Sequence, residues 1–175
     1  MKSKIASRPD TKRLLICRHA KSSWQDVNLS DFERPLNKRG ERDAPEMGRR
    51  LKQRGIRPDL IMTSPATRAL ATAVHYAGRL GYPSDRVQRN PLQYAATVPV
   101  LIKILQAVDA RVSTLLLVGH NPESTDLANV LGSRLSIDNI PTGGIVALEF
   151  ALLSWRELAA GTGELLFFDY PKKQE

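Results

Sequence analysis

The chain has 175 residues, 42% of them hydrophobic and 25% charged, with a formal net charge of +8. That length and balance fit a soluble globular chain with a sizeable core, and they exclude a collagen-like, low-complexity or membrane-spanning chain. A single cysteine, Cys17, rules out an intramolecular disulfide, and with no apolar signal segment at the start it points to a cytoplasmic setting.

Residues 1–11 are polar, include Pro9, and read as a flexible N-terminal tail; residues 12–171 read as a single domain. Lys12 to Cys17 form a short, mostly apolar strand. Lys21 to Pro35 hold no sustained period and read as a long loop, a kind of segment that is often functional. From Asn37 to Arg54 the spacing of Ala44, Met47 and Leu51 predicts a helix. Pro45 argues for a kink or a late start, and Gly55 for its end. Asp59 to Thr63 form a second strand. Ser64 as N-cap and Pro65 at the first helical position then predict a helix start. Leu70, Ala73, Val74 and Ala77 give that helix an apolar face, with Arg68, Thr72, His75 and Arg79 on the other side. Gly81 and Pro83 close it.

Val98, Leu101, Ile102 and Leu105 mark a third helix. Thr114 to Val118 are an unbroken apolar run, suited to a strand buried on both faces. Asn121 as N-cap and Pro122 behind it predict a helix to Leu131, ended by Gly132. Ile145 to Phe150 and Leu165 to Phe168 are the last strands. The order predicts an α/β three-layer sandwich: a mostly parallel central sheet with helices on both faces, and a possible antiparallel member from the final pair.

Three strand ends carry unusual residues: Arg18-His19, Ser64 to Arg68, and His120-Asn121. In a parallel sheet these ends share one edge, where ligands of open α/β sheets bind. That edge gathers two arginines, two histidines and two helix N-termini, a combination suited to phosphate. An arginine that ends an apolar strand needs a charged partner, which favours a functional role for Arg18. His75 reads as a surface residue and Cys17 as core. Ser23 stands where a cysteine phosphatase would place its arginine, and the histidines lack metal-ligand spacing, so no metal and no cofactor are expected. The basic excess of 26 Lys and Arg over 18 Asp and Glu suits an anionic partner. Without an Arg-rich repeat or interleaved aromatics, neither nucleic acid nor a membrane is expected as that partner.

Arg18-His19-Ala20-Lys21-Ser22, Ser64-Pro65-Ala66-Thr67-Arg68-Ala69 and Gly119-His120-Asn121-Pro122 together resemble the histidine phosphatase (phosphoglycerate-mutase-like) superfamily. The likeness runs from Leu14 to about Pro171 and includes Arg34-Pro35-Leu36 with Gly40, and Pro141-Thr142-Gly143-Gly144. Ala20 stands where the family usually has glycine. The compact length is similar to the SixA-type phosphohistidine phosphatases. The resemblance implies a phosphoglycerate-mutase-like fold, with His19 as a nucleophile that becomes phosphorylated and is then released by water. It implies a phosphate clamp of Arg18, Arg68 and His120, with further contacts from Ser22, Gln25 and Asn121. Many relatives carry a mid-chain glutamate that protonates an alcohol leaving group. The matching stretch here, Asn90 to Ala96, has no carboxylate, and Asp26, Asp31 and Asp126 are the possible substitutes. An imidazole leaves more easily than an alkoxide, so phosphohistidine on a protein is the expected substrate. The segment from Gly81 to Thr114 is short for the helical lid of larger relatives, which also suits a protein substrate. The alternatives are a broad phosphomonoesterase acting on small metabolites, or a non-catalytic phosphate-binding module.

Overall fold

The computed structural model describes residues 10–173. The tail expected over 1–11 therefore lies, up to residue 9, outside the described residues. Strands β1 (Lys12–Arg18), β2 (Leu60–Thr63), β3 (Gln88–Arg89), β4 (Thr114–Gly119), β5 (Ile145–Phe150) and β6 (Glu164–Asp169) form one sheet in the order β3-β2-β4-β1-β5-β6. β1 to β4 run parallel; on one side β5 pairs antiparallel with β1, and β6 antiparallel with β5. The helices are α1 (Lys38–Gln53), α2 (Thr67–Leu80), α3 (Val98–Gln106) and α4 (Glu123–Leu131).

Alternation along the strands splits the core into two layers. Leu14, Ile16, Met62, Leu115 and Leu117 pack with Leu105, Leu127 and Trp155 on the α3 and α4 side. Leu15, Cys17, Ile61, Leu116 and Val118 pack with Met47, Leu51, Ala73 and Tyr76 on the α1 and α2 side. Burial on both faces explains why these strands read as continuous apolar runs. Each fully buried aliphatic side chain contributes about 1.5–3 kcal/mol. Among the described residues no helix is long and apolar enough to cross a membrane.

The expected architecture is present, with local differences. Asn37 caps α1, its side chain accepting from Gly40 N at 2.9 Å. α1 does not start late; it runs through Pro45, and the buried Ala44, Met47 and Leu51 around it hold the helix together. Ser64 and Asn121 are not N-caps, and Pro65 and Pro122 do not open helices: α2 begins at Thr67 and α4 at Glu123. Asn121 has tertiary partners instead, while Ser64 Oγ accepts from Ala66 N at 3.3 Å, just before α2, and also meets His120 Nε2. The face of α2 also differs from its pattern. Arg68 and Thr72 are buried, while Val74 is 40% exposed. The alanines and Tyr76 pack closely enough against the sheet and α1 that the helix turns its two polar residues inward. The two-residue β3 and the short helical turns at 84–86, 91–93 and 155–157 carry too little periodicity to be read from sequence.

Candidate active site

The parallel strands bring the ends of β1, β4 and β2 to one edge. Arg18 pairs with Gly119 across β1 and β4, and His19 N donates to Gly119 O at 3.0 Å. The Pro141-Thr142-Gly143-Gly144 turn locks this junction from the β5 side. Gly143 N donates to the carbonyls of Arg18 (3.2 Å) and His19 (3.0 Å), and Arg18 N donates to Gly144 O at 3.0 Å. Gly143 sits at φ +74°, a conformation that favours glycine.

Consecutive residues leave a strand on opposite faces, and Arg18 and His19 do so. Arg18 emerges on the α4 side, where its Nη1 donates to Ile140 O (2.8 Å) and Asn139 Oδ1 (3.3 Å). Its buried Nε has no hydrogen-bond partner among the described residues. His19 emerges on the α2 side, 9% exposed. Its Nδ1 lies 2.7 Å from the carbonyl oxygen of Ala20. A carbonyl only accepts, so Nδ1 carries the proton and Nε2 keeps its lone pair. Arg68 Nε donates to that Nε2 at 3.3 Å. Burial, opposed by the Ala20 bond and reinforced by His120, Arg68 and Arg18, lowers the His19 pKa to about 3.

His120 follows β4, its ring centroid 5.2 Å from that of His19. Arg68 Nη2 lies 3.5 Å from its Nδ1, and Ser64 Oγ lies 2.7 Å from its Nε2. Guanidinium only donates, so Nδ1 is the acceptor and Nε2–H donates to Ser64. Burial, with the charges of Arg68 and Arg18, lowers the His120 pKa to about 4. Both imidazoles are thus neutral beside two permanent cations.

Arg68 is held from the far side by Asp31. Its Nη1 donates to Asp31 O and its Nη2 to Asp31 Oδ2 at 2.9 Å. The same carboxylate accepts from Arg34 Nη1 at 2.8 Å and Tyr94 OH at 3.0 Å. Partial desolvation works against ionisation, but the bonds from Arg34, Arg68 and Tyr94 hold the Asp31 pKa at about 2. Arg34 also binds Ser22 Oγ (2.6 Å) and Ser23 O (2.9 Å), and Trp24 stacks on its guanidinium. The 22–36 loop is closed by a Ser22–Leu36 bridge and seated on α1 at Gly40, where a Cβ would meet Lys21 O at 2.2 Å.

His19, Arg68 and His120 are therefore brought into contact; Arg18 stands beside Asn121 on the α4 side, both donating to Asn139 Oδ1 and Ile140 O, while Ser22 and Gln25 are engaged within the 22–36 loop. Ser22 is occupied by Arg34. Gln25 is exposed, and its backbone N–H donates to Ser23 Oγ. Asn121 donates to Asn139 Oδ1 and Ile140 O and accepts from Thr125 Oγ1, which ties α4 to the 137–140 segment. The sequence reading missed Thr72, whose Oγ1 accepts from Ala20 N (3.0 Å) and donates to Arg68 O (2.7 Å). It also missed Tyr94, whose ring meets His120 edge-on at 5.8 Å. The signal for Tyr94 was its place in the stretch where relatives carry an acid; Thr72 had none beyond lying four residues after Arg68. A groove of about 1030 Å³ between α3 and the β3 edge, lined by Leu60, Met62, Val87 and Ile104, includes none of these residues. Among the described residues no three His, Cys, Asp or Glu side chains are grouped to hold a metal ion.

Residues 14–89 match the model of the histidine phosphatase superfamily, branch 1. An uncharacterized chloroplastic protein of Arabidopsis thaliana is 34% identical over 172 residues, covering 92% of this chain and 78% of that one. The chain belongs to the histidine phosphatase superfamily. It is a phosphatase of the hydrolase class. Its fold is that of the SixA proteins. SixA of Agrobacterium tumefaciens superposes with a TM-score of 0.75 at 27% identity, covering 91% of this chain and 98% of that one. A protein histidine phosphatase SixA complexed with tungstate superposes at 0.77 with 22% identity, covering 91% and 97%.

Proposed function

We propose that the chain removes phosphoryl groups through a covalent intermediate on His19, and that its substrate is phosphohistidine on a protein. The observation that carries the reading is the state of His19. Its Nδ1 is tied to Ala20 O, so the neutral ring keeps an unprotonated Nε2, whose lone pair accepts only a long bond from Arg68 Nε. In this reading residues 12–171 act as one catalytic domain.

Nε2 attacks phosphorus, an N–P bond forms, and the bond to the leaving atom breaks with its electron pair on the leaving group. Water then attacks the phosphohistidine. The N–P bond breaks, its pair returns to Nε2, and the water proton passes to solvent. Charge on the equatorial oxygens is met by donors already in place, which is most of what phosphoryl transfer requires. Arg68 offers Nε and Nη2, whose contacts to histidine nitrogens are long at 3.3 and 3.5 Å and readily exchanged for oxyanions. Arg18 adds its positive charge, which both histidines feel. Ser64 can donate as well as accept, which lets His120 move its proton to Nδ1 and donate to the phosphoryl group.

The leaving group follows from what the site lacks as a proton source. The carboxylate that reaches the site, Asp31, is ionised and bound by three donors. A carboxylate in that state does not protonate an alkoxide. An imidazole ring that already carries a proton on its second nitrogen leaves as the neutral ring without such help, which supports phosphohistidine over sugar or glycerate phosphates. The test is transfer of a 32P label from a phosphohistidine protein. Wild type retains an acid-labile label and His19→Ala does not. Labelling of both, or equal or faster turnover of sugar phosphates, sinks the reading.

A further inference from the structure

We infer that Asp31 is a specificity-determining residue: its carboxylate at the mouth of the site selects a leaving group that carries positive charge and disfavours one that departs as an anion. The inference rests on the phosphohistidine reading above and adds to it the residue that sets the preference.

The geometry gives the site a depth order. His19 lies at the bottom, 9% exposed. The Arg68 side chain, 7% exposed, spans the middle, with Nε on His19 and its terminal nitrogens on Asp31. The Asp31 side chain is 48% exposed and marks the mouth. An in-line displacement places the leaving group opposite the attacking nitrogen. With His19 at the bottom, the leaving group lies on the mouth side, beside Asp31.

The charge it meets there is negative. The Arg34 side chain that binds Oδ1 is only 8% exposed and is covered by Trp24, stacked 3.1 Å above its guanidinium carbon. Arg68 is equally buried. The cations stand behind the carboxylate and the carboxylate faces out. Oδ2 takes two bonds, from Arg68 and Tyr94, while Oδ1 takes one, from Arg34. Oδ1 therefore has capacity for one more donor. Tyr94 and Phe32, edge to face at 5.0 Å, wall the same mouth with aromatic surface that suits a flat ring.

A phosphorylated imidazole meets these requirements. Protonated on its second ring nitrogen, it presents an N–H cation to Asp31. As His19 Nε2 bonds to phosphorus, the N–P bond of the substrate breaks and its pair stays on the ring nitrogen. The ring departs as neutral imidazole, still holding its own proton. An aryl phosphate is flat as well, but its O–P bond breaks to a phenolate anion directly against the carboxylate.

The experiment compares kcat/KM for phosphoimidazole and p-nitrophenyl phosphate in wild type, Asp31→Asn and Asp31→Glu. Asparagine keeps an acceptor oxygen for Arg68 and removes the charge; glutamate keeps the charge. The ratio of phosphoimidazole to aryl phosphate activity is expected to fall roughly tenfold in Asp31→Asn, the size of one pKa unit of charge stabilisation, and to stay near wild type in Asp31→Glu. Should Asp31→Asn fail to fold by circular dichroism, Asp31→Ser supplies the same comparison. A fall that is equal for both substrates means that Asp31 only positions Arg68, and it overturns the proposal, as does an unchanged ratio. Wild type that cleaves the aryl phosphate but not phosphoimidazole overturns instead the phosphohistidine reading on which it rests.

Discussion

Unfolding releases two histidines that the fold keeps uncharged, and that dictates how stability responds to pH. In the folded chain His19 titrates at about 3 and His120 at about 4, against ~6.5 for an unperturbed histidine. Both are bases held neutral by burial, so each folded pKa lies below its unfolded one. Stability from this source is complete above the unfolded value and is lost as pH falls from there toward the folded values. Between about pH 7 and about pH 5 the unfolded state gains about 1.9 kcal/mol per histidine from protonation that the folded state does not share, about 3.7 kcal/mol for the pair. Near pH 5 unfolding takes up about 1.8 protons, a slope of about 2.5 kcal/mol per pH unit. Asp31, held at about 2, adds a loss of the same sign only nearer the ordinary carboxylate range, ~4 and below.

The assay is denaturant unfolding at the two pH values for wild type and for the double variant His19→Gln/His120→Gln. Glutamine removes the titration and keeps a polar side chain of similar reach. Wild type should lose about 3.7 kcal/mol more than the double variant over the interval. Equal losses in the two proteins would refute the claim that both rings are buried neutral.

Two substitutions examine the clamp itself. Arg68→Ala should lower kcat on a phosphohistidine substrate by about 10²–10³-fold. Arg68→Lys should not restore it, because one ammonium cannot serve His19, His120, and the backbone carbonyl and Oδ2 of Asp31; near-wild-type activity of the lysine variant would show that the fork geometry is irrelevant. Ser64→Ala removes the acceptor for His120 Nε2–H at a fully buried position. It should cost about 1–3 kcal/mol in unfolding free energy and reduce turnover; wild-type values for both would mean that the Ser64–His120 bond has no role.

The sequence shows the strand ends more clearly than what surrounds them. Arg18, His19 and His120 stand out because charged or titratable residues directly after aliphatic strands have few structural explanations. Parallel pairing of β1 with β4, and β4 with β2, then brings them together. The caps were misread for a related reason. Ser64 and Asn121 have the residue types of N-caps, but the Asn121 amide bonds the 137–140 backbone, and the Ser64 hydroxyl shares its local bond from Ala66 N with a buried imidazole. Local preference of about 1 kcal/mol gives way to the cost of leaving buried groups unpaired. Arg68 and Thr72 illustrate a limit of helical periodicity. Polar residues on one face of α2 look solvated, yet that face meets the site, where polarity is what the neighbours require. Asp31 and Tyr94 come from aperiodic segments 63 residues apart, and nothing in either segment alone announces their meeting.

The charges of the site explain why a fold tolerates them. Two arginines beside two buried imidazoles would be costly without counter-charge. Arg68 has its counter-charge in Asp31, supplied by the 22–36 loop. Among the described residues Arg18 has only neutral acceptors, the Ile140 carbonyl and the Asn139 amide, and its buried Nε has none. Neutral histidines keep the sum from growing: protonating either would set a third cation against the other two, and the lowered pKa values express that cost. The arrangement therefore holds a deficit of negative charge on the inner side of Arg68 and beside Arg18, while the outer side is neutralised. A phosphoryl group fits the inner side because its oxygens supply the acceptors that Arg68 finds only at long range in the two histidines. Asp31 confines that attraction to the inner side. The charge that makes Arg68 tolerable in the fold thus also decides which end of a substrate points inward.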